Sequence, residues 1–145
     1  MVTLKIISAR TYVDADQRSV FNAVTDWNLQ SKWIFATKVT GNGNDSHQLG
    51  GKLEAFTGYG SFGFMDTMTI TKWDPPHTCE VTHTGKIVKG SGLFEVSIEN
   101  GKTYFTWTEY TELPFGIIGK AGWIIVGPLT KIGMKISLRR FSKLF

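Results

Sequence analysis

Asn100-Gly101 sits between two runs, residues 88–99 and 102–113, in which apolar and polar side chains alternate. Asn-Gly suits the two left-handed positions of a tight hairpin turn, so the runs are predicted to pair as antiparallel strands in one register. That register sets Glu99 opposite Lys102, Val96 opposite Phe105, Phe94 opposite Trp107 and Gly92 opposite Glu109. Opposed side chains share a face, and here the apolar ones meet. A slip by a single residue would turn the whole set into water.

The same reasoning extends the sheet. A turn with Lys86 and Ile87 at its tip sets Cys79 by Phe94, Val81 by Gly92 and His83 by Gly90. Residues 62–73, "FGFMDTMTITKW", alternate as a further strand, and "WDPPH" turns the chain after it. Pairing across that turn is expected to bring Ile70 to Cys79, Met68 to Val81 and Asp66 to His83. Residues 3–13, the "TKVTGNGND" region and "GKLEAFTG" supply three more strands. After the first strand, Asp16 is placed to cap a short helix carrying Val20, Phe21 and Val24 on one face, and residues 27–33 form a second. From about Ile117 the period changes. Ile118, Ala121, Ile125, Leu129, Ile132 and Ile136 advance by threes and fours, so a long amphipathic helix with Pro128 inside it is expected to cover the sheet. The predicted class is α+β, a single domain over residues 1–145: strand, two short helices, six further antiparallel strands, one long helix.

Composition agrees. Of 145 residues 41% are hydrophobic and 19% charged, enough apolar material for one core. The one cysteine, Cys79, rules out an intrachain disulfide and fits a reducing compartment. The N-terminal residues alternate like a strand and lack the apolar block of a signal peptide, and the run 113–129 falls short of the ~20 apolar residues of a membrane span, so a cytoplasmic protein is expected.

One residue breaks the alternation of 62–73: Asp66 occupies an apolar position. With the expected pairings, Asp66, His83, Gly90 and Thr111 form one inward row beside Met68, Val81, Gly92 and Glu109. Two carboxylates and an imidazole thus face the core next to two residues with no side chain. Such groups need ion pairs, hydrogen bonds or water. A cavity lined by Phe64, Asp66, Met68, Val81, His83, Gly90, Gly92, Phe94, Phe105, Trp107, Glu109 and Ile125 answers that need, with apolar walls and a polar end suited to a small apolar ligand. His83, Asp66 and Glu109 are also the candidates for acid–base catalysis, with Asp66 holding the imidazole tautomer. A structural Asp–His pair at a wet sheet end is the plainer alternative.

Other chemistries find little footing. "GIIGKAG" lacks the ending of a phosphate loop, His47, His77 and His83 lack metal-ligand spacing, and no Ser lies in a G-x-S-x-G elbow. No metal or cofactor is implied. Basic and aromatic residues do not interleave on one predicted face, which argues against nucleic acid. The net charge is +4, and Lys131, Lys135, Arg139, Arg140 and Lys143 gather near the C-terminus. That cluster reads first as a solvated helix face and second as a contact for acidic lipid or nucleic acid.

The "VDADQRSVFNAVTDWNLQSKW" opening, the "WDPPHTCEV" turn, "GKIVKGSGLFEV" and "TWTEYTELPFG" before the last helix together resemble the START-like, or helix-grip, superfamily (SRPBCC), in particular its polyketide cyclase/dehydrase and lipid-transport branch. The resemblance spans nearly the whole chain. It implies a curved seven-stranded antiparallel sheet gripping the C-terminal helix, with a cavity between them. It implies a binder or carrier of lipids, sterols or polyketide-like molecules, or alternatively a cyclase or dehydratase. It supplies no shared catalytic motif. The glycine-rich "FGIIGKAGWIIVGP" departs from the usual pattern and bears on the shape of the cavity.

Overall fold

The computed structural model describes residues 3–41, 46–86, 88–113 and 117–145. Its elements are β1 (Thr3–Val13), α1 (Gln17–Val24), α2 (Trp27–Trp33), β2 (Thr37–Gly41), β3 (Lys52–Tyr59), β4 (Phe62–Asp74), β5 (Thr78–His83), β6 (Gly90–Glu99), β7 (Lys102–Leu113) and α3 (Ile117–Ser142). The strands form one antiparallel sheet in the order β1-β7-β6-β5-β4-β3-β2. This is the α+β layout expected from the sequence. Part of the loop expected after β2, at 42–45, the turn tip at Ile87 and residues 114–116 lie outside the described residues.

The β6–β7 and β5–β6 registers are those read from the sequence: Phe94 opposes Trp107, Gly92 opposes Glu109, and His83 opposes Gly90. Asn100 and Gly101 take the left-handed conformations, φ 51° and 76°, that the tight turn demands.

The β4–β5 register differs from the expectation. His83 opposes Met68, Val81 opposes Ile70 and Cys79 opposes Trp73. The turn holds Pro75, Pro76 and His77 and closes on the Asp74–Thr78 pair, which slides the strands by three positions from the expected pairing. A slide of three would send Ile70 and Met68 to the wrong face. An irregularity between Ile70 and Lys72 takes one position back. Ile70 and Trp73 therefore both face inward while Thr71 and Lys72 lie in solvent.

The short helices are placed by their caps. Asp16 accepts from the Ser19 N–H at 2.9 Å and Asp26 from the Leu29 N–H at 3.1 Å, each satisfying an amide that the first helical turn leaves free. Val20, Phe21, Val24, Trp27 and Trp33 are buried beneath them. Trp33 is the hub. Its ring lies 5.1 Å from Phe141, 5.7 Å from Phe105, 6.0 Å from Trp107 and 6.4 Å from Phe94, all edge-on. Ser137 ties α3 to the end of α2: its hydroxyl donates to the Gly133 carbonyl and accepts from the Phe35 N–H, each at 2.8 Å.

The buried face of α3 is not the expected one. Met134, Ser137, Leu138 and Phe141 are buried, whereas Ala121, Ile125, Leu129 and Ile132 are exposed and Ile136 is half-buried. The side chain of Ile118 lies outside the described residues. Apolar residues recur at helical spacing on two faces of α3, so periodicity alone does not choose between them. The aromatic shelf of Trp33 and Phe105 chooses, because it receives the large Phe141 ring.

Candidate functional site

The inner face of the sheet carries rows set by strand pairing. One row runs Ile7, Glu109, Gly92, Val81, Ile70, and the next runs Lys5, Thr111, Gly90, His83, Met68, Leu53. Asp66 follows Met68 on the same face of β4, opposite Ala55 of β3. Because Met68 takes the position directly across from His83, Asp66 is its diagonal neighbour, a separation long side chains span.

His83 bridges two carboxylates. Its Nδ1–H donates to Asp66 Oδ2 at 2.7 Å and its Nε2–H to Glu109 Oε2 at 3.1 Å. The side chains of His83, Asp66 and Glu109 are 6%, 10% and 17% exposed. Burial is the largest single influence on the imidazole and opposes its charge. The hydrogen bonds and charges of the two carboxylates together outweigh it and raise the pKa to about 9. At neutral pH the ring is an imidazolium donating from both nitrogens.

The remaining carboxylate oxygens differ. Glu109 Oε1 accepts from Trp107 Nε1–H at 2.9 Å. Asp66 Oδ1 is buried and has no hydrogen-bond partner among the described residues. Buried carboxylate oxygens are seldom left so.

The two glycines beside the triad have definite occupants. A Cβ on Gly92 would lie 2.8 Å from Glu109 Oε1, so the missing side chain makes room for the Glu109 carboxylate. Gly90 has φ +113°, and a Cβ there would strike the Tyr110 carbonyl.

The other expected site residues divide as follows. Val81, Phe94 and Phe105 are buried in the core, and Phe64, Met68 and Trp107 are half-buried on the inner face. Ile125 is 68% exposed on α3 and is not brought to the triad. Cys79 is fully buried, and burial followed by the nearby Glu80 charge pushes its thiol up to about 12, which fits a packing role. Among the described residues no group of His, Cys, Asp and Glu has the arrangement to hold a metal ion.

A hollow of about 430 Å³ opens between β1 and the first half of α3, walled by Ile6, Ile7 and Ser8 on one side and by Trp123, Ile124, Gly127, Pro128 and Lys131 on the other. Ile7 is the direct strand partner of Glu109, so one wall residue of the hollow stands next to the triad in the sheet. His83, Asp66 and Glu109 themselves are not among the residues lining the hollow. Lys131 donates to the Ser8 carbonyl at the hollow's edge. Sequence reasoning missed these walls. The adjacent Ile6 and Ile7, which place apolar side chains on both faces of β1, were the signal for them. A second hollow of about 550 Å³ lies between α1 and the β4–β5 turn, lined by Arg18, Phe21, Asn22, Thr25, Asp26, His47, Trp73 and Pro75.

No family model matches the chain, and no curated protein matches it. Solved structures share its shape. A protein from Mycobacterium smegmatis has a TM-score of 0.70 at 15% identity, covering 100% of this chain and 97% of that one. A protein of unknown function from Staphylococcus aureus has a TM-score of 0.74 at 10% identity, covering 97% and 92%. The Aha1 dimer from Colwellia psychrerythraea has a TM-score of 0.58 at 15% identity, covering 92% and 97%. At these identities the likeness is one of fold, a sheet with a C-terminal helix.

Proposed function

We propose that this protein binds a small, largely apolar molecule between the sheet and α3, in the manner of a carrier of the START-like, helix-grip superfamily. The observation that carries the reading is the hollow between β1 and α3, whose wall residue Ile7 stands directly across from Glu109 of the charged triad. The walls of the hollow are mainly apolar with Ser8 and Lys131 as polar groups, the mix that ligand pockets generally present, and about 430 Å³ falls in their usual range of ~300–1,000 Å³. The buried single thiol fits work in the cytoplasm.

The triad's protonation favours binding over acid–base catalysis. A general base needs a free ring nitrogen and a pKa near the working pH. His83 has both nitrogens engaged and its pKa raised to about 9. A cyclase or dehydratase working through His83 would first have to break one of those bonds.

Native mass spectrometry of the freshly purified protein, followed by thermal-shift screening of fatty alcohols, sterols and aromatic polyketides, tests the reading. A co-purified small molecule, or a ligand that raises the melting temperature in wild type and loses its effect in Gly127→Ala, is expected. A Cβ on Gly127 would press on the Trp123 ring at 2.9 Å and reshape the hollow. A bare mass together with a flat screen overturns it.

A further inference from the structure

Beyond ligand binding, we propose that the outer face of α3 docks the protein on an anionic membrane surface. Ile124, Ile125, Leu129 and Ile132 are 76%, 68%, 61% and 54% exposed, an apolar concentration that single scattered surface residues do not produce. Ile6 of β1, across the hollow from Ile124, is 61% exposed and widens the patch.

The patch continues into charge. Along one side of the helix, steps of three or four residues lead from Ile125 through Leu129 and Ile132 to Lys135, Arg139 and Lys143. Residues so spaced are neighbours, so they form a single ridge, apolar in its first half and basic in its second. All three basic residues are exposed, and their side chains form no hydrogen bond or ion pair among the described residues. No Asp or Glu occurs anywhere from Ile117 to Phe145.

That one-signed charge selects the occupant. A second copy laid ridge to ridge in parallel would set cation against cation. Laid antiparallel, it would cover each apolar half with the partner's lysines and arginines. An anionic bilayer complements both halves: the isoleucines and Leu129 enter the headgroup–acyl boundary while the cations stay among lipid phosphates. Among the described residues no helix is long and apolar enough to cross a membrane, so the contact is with the surface.

Vesicle sedimentation reads this directly. The full chain is mixed with vesicles of phosphatidylcholine alone or with 30% phosphatidylserine, at low and high salt. Binding to the anionic vesicles is expected, with weakening in high salt and little binding to the neutral ones. The charge reversal Lys135→Glu/Arg139→Glu/Lys143→Glu is expected to weaken that binding more than about tenfold. Ile125→Ser/Leu129→Ser is expected to weaken it too while leaving the melting temperature close to wild type, since both positions are exposed. Failure to bind anionic vesicles overturns the proposal. So does binding that neither variant reduces, or a wild-type dimer in analytical ultracentrifugation that Ile125→Ser/Leu129→Ser dissociates. None of Ile125, Leu129, Lys135, Arg139 and Lys143 is a wall residue of the hollow, so the effect of the variants is independent of whether a ligand for the hollow is found.

Discussion

His83 meets Asp66 on a diagonal: Met68 holds the position across the strand pair, and the 2.7 Å bond reaches past it to the next inward residue of β4. The same ring bonds Glu109 of β7, so one imidazolium ties together strands that are not neighbours in the sheet. β5 touches β4 and β6, and β7 lies beyond β6. This link spans the smooth side of Gly92.

The first prediction concerns pH. The folded pKa of His83 is raised to about 9 from an ordinary 6.5. A raised pKa means that the folded state binds the proton more tightly. The stabilisation is therefore fully present below about pH 6.5 and is lost as pH climbs through about 9. The size is on the order of 3 kcal/mol. Urea denaturation at pH 6 and pH 9.5 measures it, and the drop should be much smaller in His83→Gln. Equal drops in the two proteins would assign the effect to other groups.

Removing the cation alone should be worse than neutralising the cluster. His83→Leu leaves two buried carboxylates facing an apolar side chain, at a cost of about 3 kcal/mol at pH 7. The triple variant Asp66→Asn/His83→Gln/Glu109→Gln keeps hydrogen-bonding groups without charge and should recover most of that loss. Chemical denaturation of the two variants side by side makes the comparison.

Gly92→Ala should act on the triad rather than on the strand. The new methyl group would sit 2.8 Å from Glu109 Oε1, so the carboxylate must swing away from Trp107 or His83. Weakening the Glu109 bond to His83 lowers the imidazole pKa. NMR titration of the imidazole is expected to show a midpoint below wild type, with the sheet amide shifts otherwise kept.

The buried and exposed faces of α3 should respond differently to truncation. Phe141 is fully buried, with its ring 5.0 Å from Phe105 and 5.1 Å from Trp33, and Phe141→Ala should cost about 3–5 kcal/mol. Leu129 is 61% exposed, and Leu129→Ala should stay within about 0.5 kcal/mol of wild type. Thermal melts of both variants decide it. A large loss at Leu129 would place that side chain in a packed interface.

The legible parts of this chain are those where a local rule has no competitor. Asn100-Gly101 determines its turn, and the β6–β7 register follows from it by counting; the β5–β6 register follows from a turn tip set at Lys86 and Ile87. Asp16 and the apolar run after it define α1. Asp66 announced itself by violating an alternation, and its meeting with His83 survives the β4–β5 slide because the bulge restores the face. What stayed hidden depends on competition between surfaces. The outward Ile125, Leu129 and Ile132 and the inward Met134, Leu138 and Phe141 have equally helical spacing. Which set is buried is settled by an aromatic shelf assembled from α2 and β7, and no local pattern in α3 records that. The glycines misled for a related reason. A missing side chain marks a close approach without saying what approaches, and at Gly92 it is the protein's own Glu109.

Lys131 clasps the Ser8 carbonyl on the open border of β1. A border strand with bare carbonyls is a template on which another chain can zip itself, and this amine occupies one of those acceptors. Its removal would bare that acceptor on a strand where Leu4 and Ile6 already stand in water.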